Sequence, residues 1–168
     1  VFESIEDIYI EVRLPEATIV EISPSVASRG GIRREDVLGK SALQFYPYPE
    51  EYTRLLEALF QNGAVQDYEL SLYNGRGQAT PCAVSLRLIR DAQGRPERYV
   101  GTMRDISARK EAERAMQKLS HAMEHASTPI AITRSDGVVE FVNAAWERTS
   151  GYLRAEALGQ QAAAVAVG

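Results

Sequence analysis

The chain has 168 residues, 45% hydrophobic and 25% charged, which makes it about one ordinary domain, or one with part of another, and globular in composition. Nineteen Lys and Arg against 23 Asp and Glu leave a net charge of -4, without the basic footprint of a nucleic-acid binder, and no apolar run nears the roughly 20 residues that cross a bilayer. Cys82 stands alone among thiols, which excludes an internal disulfide or a multi-thiolate zinc site and leads us to expect a reducing, cytoplasmic setting.

The opening, Val1-Phe2-Glu3-Ser4-Ile5-Glu6-Asp7, has neither a basic n-region nor an initiator Met and reads as the edge of an excised fragment. Ile8 to Leu14 alternates, Pro15-Glu16-Ala17 turns, and Thr18 to Ile22 completes a hairpin. Ser23-Pro24 predicts a short helix, with Ser as cap and Pro at the first helical position. A longer helix starts at Pro49, its stripe built from Tyr52, Leu55, Leu56, Leu59 and Phe60, and stops at Asn62-Gly63. Tyr68, Leu70 and Leu72 then alternate with polar residues. The turn Asn74-Gly75-Arg76-Gly77 leads into Cys82, Val84, Leu86 and Leu88 at alternate positions, and Tyr99 to Ile106 forms a fifth strand.

From Ser107 to Ala126 helix formers dominate, without Gly or Pro. Ala112, Met116, Leu119, Met123 and Ala126 are spaced 4, 3, 4, 3, an a/d seam that predicts a parallel coiled-coil connector; a single amphipathic helix packed on its own domain is the alternative. Glu111, Glu113 and Glu124 argue against a cationic membrane-surface helix. Val138 to Gln160 repeats the pattern of Thr18 to Lys40 at a separation of 120 residues, with Gly31, Arg34, Leu38 and Gly39 matched by Gly151, Arg154, Leu158 and Gly159.

These residues resemble the PAS family. Ile22-Ser23-Pro24-Ser25-Val26, Gly31 and Arg34-Glu35-Asp36-Val37-Leu38-Gly39-Lys40 are similar to the family's opening motifs, as are Asn143-Ala144-Ala145-Trp146 and Ser150-Gly151-Tyr152. Tyr99 to Lys110 resembles its closing PAC motif. The resemblance runs from Ile5 to Gly159 and implies an α+β fold with a five-stranded antiparallel sheet, short helices on one face and an exit helix. It divides the chain into a PAS domain at 1–106, a helical linker at 107–126 and the N-terminal part of a second, truncated PAS domain at 127–168. The truncated part cannot close a sheet around its own core, so it is expected to pack on the first domain, on the connector or on a partner.

No enzyme signature survives inspection. Gly75 and Gly77 sit in a hairpin turn without the helix of a phosphate loop, and His121-Ala-Met-Glu-His125 lacks the pattern of a zinc helix. Cys82 reads as a small buried apolar residue. No catalytic residue and no metal site are expected. Tyr52, Leu56, Tyr68, Leu70, Cys82, Val84 and Leu86 would face the space between helix and sheet, either lining a pocket or filling a core.

The resemblance implies a non-catalytic sensory and dimerising module of a bacterial multidomain signalling protein, a sensor histidine kinase or a kinase/response-regulator hybrid. A diguanylate cyclase or phosphodiesterase parent is the alternative within signalling. It implies a homodimer through linker and domain surface, an output domain C-terminal in the same polypeptide, and no nucleic-acid or membrane contact. No cofactor is predicted: some members of the family bind flavin through a reactive Cys or haem through a His, and no Cys or His lies between Ser41 and Gly63 to do either. A small-molecule ligand remains open, as does noncovalent FAD at Asn143 and Trp146. Asp105-Ile106-Ser107 resembles the family's signal hinge, with Ser107 able to cap the exit helix and Asp105 able to accept from an Arg or a backbone amide.

Overall fold

A computed structural model describes residues 7–165. Val1 to Glu6, including the proposed start at Ile5, and the last three residues lie outside the described residues, so the outer limits expected for the two PAS segments do too. The chain divides into two compact units, Val1–Lys110 and Glu111–Gly168. The division falls inside the helix expected to be the linker.

The first unit is α+β. Strands β1 (Ile8–Arg13) and β2 (Thr18–Ile22) form the first hairpin; α1 (Ser25–Gly30) and two 3₁₀ turns, Arg34–Asp36 and Ala42–Phe45, follow; then come α2 (Pro49–Asn62) and strands β3 (Ala64–Tyr73), β4 (Ala79–Arg90) and β5 (Pro96–Asp105). The sheet is antiparallel in the order β2-β1-β5-β4-β3, which is the five-stranded α+β architecture expected from the sequence. Period-two alternation puts Ile8, Ile10 and Val12 of β1 and Cys82, Val84, Leu86 and Leu88 of β4 in the core. Each fully buried aliphatic side chain contributes about 1.5–3 kcal/mol.

Helix α2 starts at Pro49, where the missing amide costs nothing, and stops at Gly63 in the left-handed region at φ 74. Tyr52, Leu55 and Leu59 are buried and Leu56 is half-buried, but Phe60 is 40% exposed. At 3.6 residues per turn Phe60 lies roughly a quarter turn from the centre of the buried stripe, so it covers the flank. Ser23 departs from the expected helix cap as well. Its hydroxyl accepts from the Tyr9 amide (2.9 Å) and bonds Ser25 Oγ (2.7 Å), joining β2 to β1 instead of closing α1.

Helix α3 runs Ser107–Glu124. Met116 and Leu119 are 70% and 58% exposed, Ala112 is exposed, Met123 is half-buried, and Ala126 lies beyond the helix end. Among the described residues no helix is long and apolar enough to cross a membrane.

The second unit continues with β6 (Ala131–Thr133) and β7 (Val139–Val142), a two-stranded sheet, then α4 (Ala144–Ser150), α5 (Arg154–Ala157) and α6 (Ala162–Val165). Val139, Val142, Ala157 and Val165 are buried together, with Trp146 packed against them. Arg154 bonds Glu124 at 2.6 Å and stacks over the Phe141 ring at 5.7 Å, so these residues pack with the end of the connector helix. The 120-residue repeat is present in the hydrogen bonds themselves. Gly39 N donates to Ile19 O as Gly159 N does to Val139 O, Ile19 N to Lys40 O as Val139 N to Gln160 O, and Ala42 N to Ala17 O as Ala162 N to Gly137 O.

Candidate functional site

In the first unit, between the sheet and the segment holding α1 and the 3₁₀ turns, lies a cavity of about 100 Å³. Its wall includes Cys82, Val84 and Leu86, the inward face of β4. Tyr52, Leu56, Tyr68 and Leu70 are not on it: α2 packs on the β3 and β4 side and fills that space with Tyr52, Leu55 and Leu59. The empty volume sits instead under α1 and the 3₁₀ turns, bounded by β1 and β2. Tyr46 lies in a segment without periodicity and carries no sequence signal, although it lines the cavity together with Tyr99.

Arg29 and Gly30 of α1 meet Tyr73 and Asn74 of the β3–β4 hairpin along the cavity wall. The hairpin turn is pinned by Asn74 Oδ1, which accepts from the amides of Arg76 and Gln78, and Gly75 N donates to Gly30 O at 2.8 Å. This approach requires glycine: a Cβ on Gly75 would lie 1.9 Å from the Gly31 carbonyl oxygen.

The buried part of the wall carries thiol and phenol groups, while the charged Arg29 and Asp105 stand at its exposed edge. Burial, with the Asp105 carboxylate adding to it, pushes the Cys82 thiol up to about 12, far from the range of a nucleophilic or redox-active cysteine. Burial also raises the hydroxyls of Tyr46, Tyr99 and Tyr52 above the ordinary phenol value, although the Tyr99 hydroxyl offsets part of the rise at Tyr52. That neighbour falls short of hydrogen-bond geometry, and the buried Tyr52 hydroxyl has no partner. Among the described residues no group of three or more His, Cys, Asp or Glu could hold a metal.

These shifts have one sign. A folded state that holds its protons more tightly than the unfolded chain loses relative stability once pH passes the unfolded values, about 8.5 for Cys and 10 for Tyr. The contribution is complete below about pH 8.5 and is lost as pH rises further. Urea unfolding midpoints are therefore expected to fall between pH 8 and 11, and a tyrosinate absorbance step is expected to coincide with unfolding; a flat midpoint would contradict the burial of these groups.

Asp105 belongs both to the cavity wall and to the exit. It lines the cavity, and its Oδ1 accepts from the Ser107 amide at 2.8 Å, closing the first turn of α3. The carboxylate of Asp105, two residues ahead, does this. Ile106 between them is buried and donates its amide to Pro81 O on β4. Glu69 of β3 bonds Lys110 (2.5 Å) and Arg109 (2.7 Å), which hold its carboxyl below the usual range.

In the second unit Asn143 is fully buried and Trp146 half-buried. Asn143 Oδ1 accepts from the amides of Ile130 and Trp146, both at 2.9 Å, and Nδ2 donates to the carbonyls of Met123 and Thr128, both at 3.0 Å. Its polar atoms are spent on the backbone.

A family model described as PAS domain matches residues 6–108, and one described as PAS fold matches residues 117–167. Among solved structures, an RNA-binding light-oxygen-voltage receptor is similar at TM-score 0.59 and 20% identity over 70% of this chain; the chain spans 35% of that receptor's length. A light-oxygen-voltage domain studied with a flavin analogue gives 0.52 and 18%, over 68% of this chain and 87% of that one. A PAS domain from Colwellia psychrerythraea gives 0.55 and 15%, over 64% and 92%. At such identities the likeness is one of fold. No curated protein matches the sequence.

Proposed function

The chain belongs to the PAS domain family, and from that premise we propose that it is a sensory module whose cavity state is relayed through α3 to an output domain of a bacterial signalling protein. PAS domains are typically sensory modules without catalytic activity of their own, which supports this reading. The observation that carries the proposal is the double placement of Asp105, which touches the cavity and caps the exit helix. A change in what fills the cavity acts directly on the carboxylate that fixes the first turn of α3. Glu69, on a neighbouring strand, holds the next two cationic residues of that helix.

Exposed Met116 and Leu119 support a second copy as the partner of α3, forming the parallel coiled coil that the 4, 3 spacing predicts. The recurring hydrogen bonds support residues 127–168 as the start of a second PAS copy. We favour a histidine kinase or hybrid kinase as the parent, with a cyclase or phosphodiesterase as the alternative. A flavin-based sensor has the two light-oxygen-voltage neighbours in its favour. Against it, a 100 Å³ cavity is too small for a tricyclic ring system, Cys82 is a buried, protonated thiol, and Asn143 has no polar atom free.

In the full-length parent, Leu119→Glu, which lies outside the cavity, is expected to change output at least about fivefold while leaving small-molecule affinity intact. Asp105→Ala is expected to change both. Unchanged output in both variants would discard the relay.

A further inference from the structure

The cavity wall is aliphatic at Ile8, Ile10, Ile19 and Val84, with its charged members, Arg29 and Asp105, exposed. The exceptions are phenols. Tyr46 and Tyr99 line the cavity, and Tyr52 stands edge-on to Tyr46 with ring centroids 5.0 Å apart. Among the described residues the Tyr52 hydroxyl is buried without a hydrogen-bond partner, and burial keeps the proton on all three phenols. One proton is left without an acceptor, at a cost that a ligand acceptor would remove.

We propose that the cavity takes a neutral ligand of about one six-membered ring, bearing a hydrogen-bond acceptor that it places on the hydroxyls of Tyr46 and Tyr99. Size sets the upper bound, since an engineered cavity of roughly 150 Å³ accepts benzene and this one encloses about 100 Å³. The interior disfavours charge, because an ion among the isoleucines would lose its hydration away from Arg29 and Asp105, which stand at the exposed edge of the wall. A pure hydrocarbon would leave the orphan donor as it is. This inference rests on reading the cavity as the sensing site.

The test uses three probes of matched shape on the full 168-residue chain: benzonitrile, toluene and benzoate. Amide shifts of Cys82, Val84 and Tyr99 report occupancy, and the infrared nitrile stretch reports hydrogen bonding. Benzonitrile is expected to bind about tenfold more tightly than toluene, benzoate not at all, and the nitrile band to move to its hydrogen-bonded frequency. Tyr46→Phe and Tyr99→Phe should leave the chain folded, narrow the benzonitrile preference and shift the band back. Equal affinities for benzonitrile and toluene, preference for benzoate, or no saturable binding of either neutral probe would overturn the assignment. Binding as expected, with no effect of benzonitrile on the parent's output, would uphold the ligand class and discard the sensing role.

Discussion

Gly101→Ala is expected to remove a large part of the stability of the five-stranded sheet. Gly101 sits in the middle of β5, which is itself the central strand, paired with Ile10 of β1 on one side and Leu86 of β4 on the other. A Cβ at this position would lie 1.9 Å from the Ser85 carbonyl oxygen and 2.8 Å from Leu86 Cα. Both are backbone atoms, so no rotamer change relieves the overlap, and β4 must move away from β5 where their ladder is longest. N–H···O bonds stretched beyond about 3.2 Å weaken, and the inward face of β4, with Val84 and Leu86, moves with its backbone. A loss of about 4 kcal/mol or more is expected, a large part of the roughly 5–15 kcal/mol that holds a domain together. Gly77→Ala is the control. Gly77 has φ 71 but open space at its Cβ, so only backbone strain is added, about 1 kcal/mol. Urea denaturation followed by far-UV circular dichroism separates the two, and equal midpoints would show that β4 yields without cost.

The close approach at Gly101 was invisible in the sequence, where Tyr-Val-Gly-Thr-Met reads as a strand with one weak position. What was legible had a local cause. Alternation in β1 and β4, the left-handed stops at Gly63 and Gly151, and the Leu-Gly ends of the two repeats each depend on a few adjacent residues, so they survive in the letters. The cavity does not have a local cause. It exists because α2 fills one end of the sheet's inner face with Tyr52, Leu55 and Leu59 while the 3₁₀ turns around Tyr46 leave the other end incompletely filled. Which end of the sheet's inner face receives the better-packed cover is decided by elements dozens of residues apart. The hinge lies between these cases: Asp105-Ile106-Ser107 is recognisable as a unit, yet the cap made by Asp105 and its contact with the cavity depend on how β5 and α3 meet in space.

Replacing Asn143 by alanine is expected to cost the second unit about 3–5 kcal/mol and to release the end of the connector helix from it. Four backbone groups, Ile130 N, Trp146 N, Met123 O and Thr128 O, depend on one side-chain amide. Their partners lie on the end of α3, on the loop before β6 and on α4. Without the amide each of these part-buried groups loses a bond, at about 1 kcal/mol apiece. Ser23, which occupies the corresponding place in the first repeat, makes only part of this set. Its hydroxyl accepts the β1 amide of Tyr9 and its own amide donates to Tyr9 O, as Asn143 does with Ile130, but a hydroxyl has no second arm to reach a helix end. Serine joins two strands; asparagine also fastens the exit of α3. Trp146, the single tryptophan, stands three residues away and its fluorescence reports the transition. Asn143→Asp sharpens the test. The carboxylate can still accept from Ile130 N and Trp146 N but faces the carbonyls of Met123 and Thr128, so burial and those oxygens raise its pKa above the unfolded value. Below that raised pKa the acid donates a proton toward one carbonyl, so the stability lost at neutral pH should return as pH falls, relative to the wild-type chain. Asn143→Ala should show no such recovery, and parallel pH profiles for the two variants would mean that the amide donors do not hold α3.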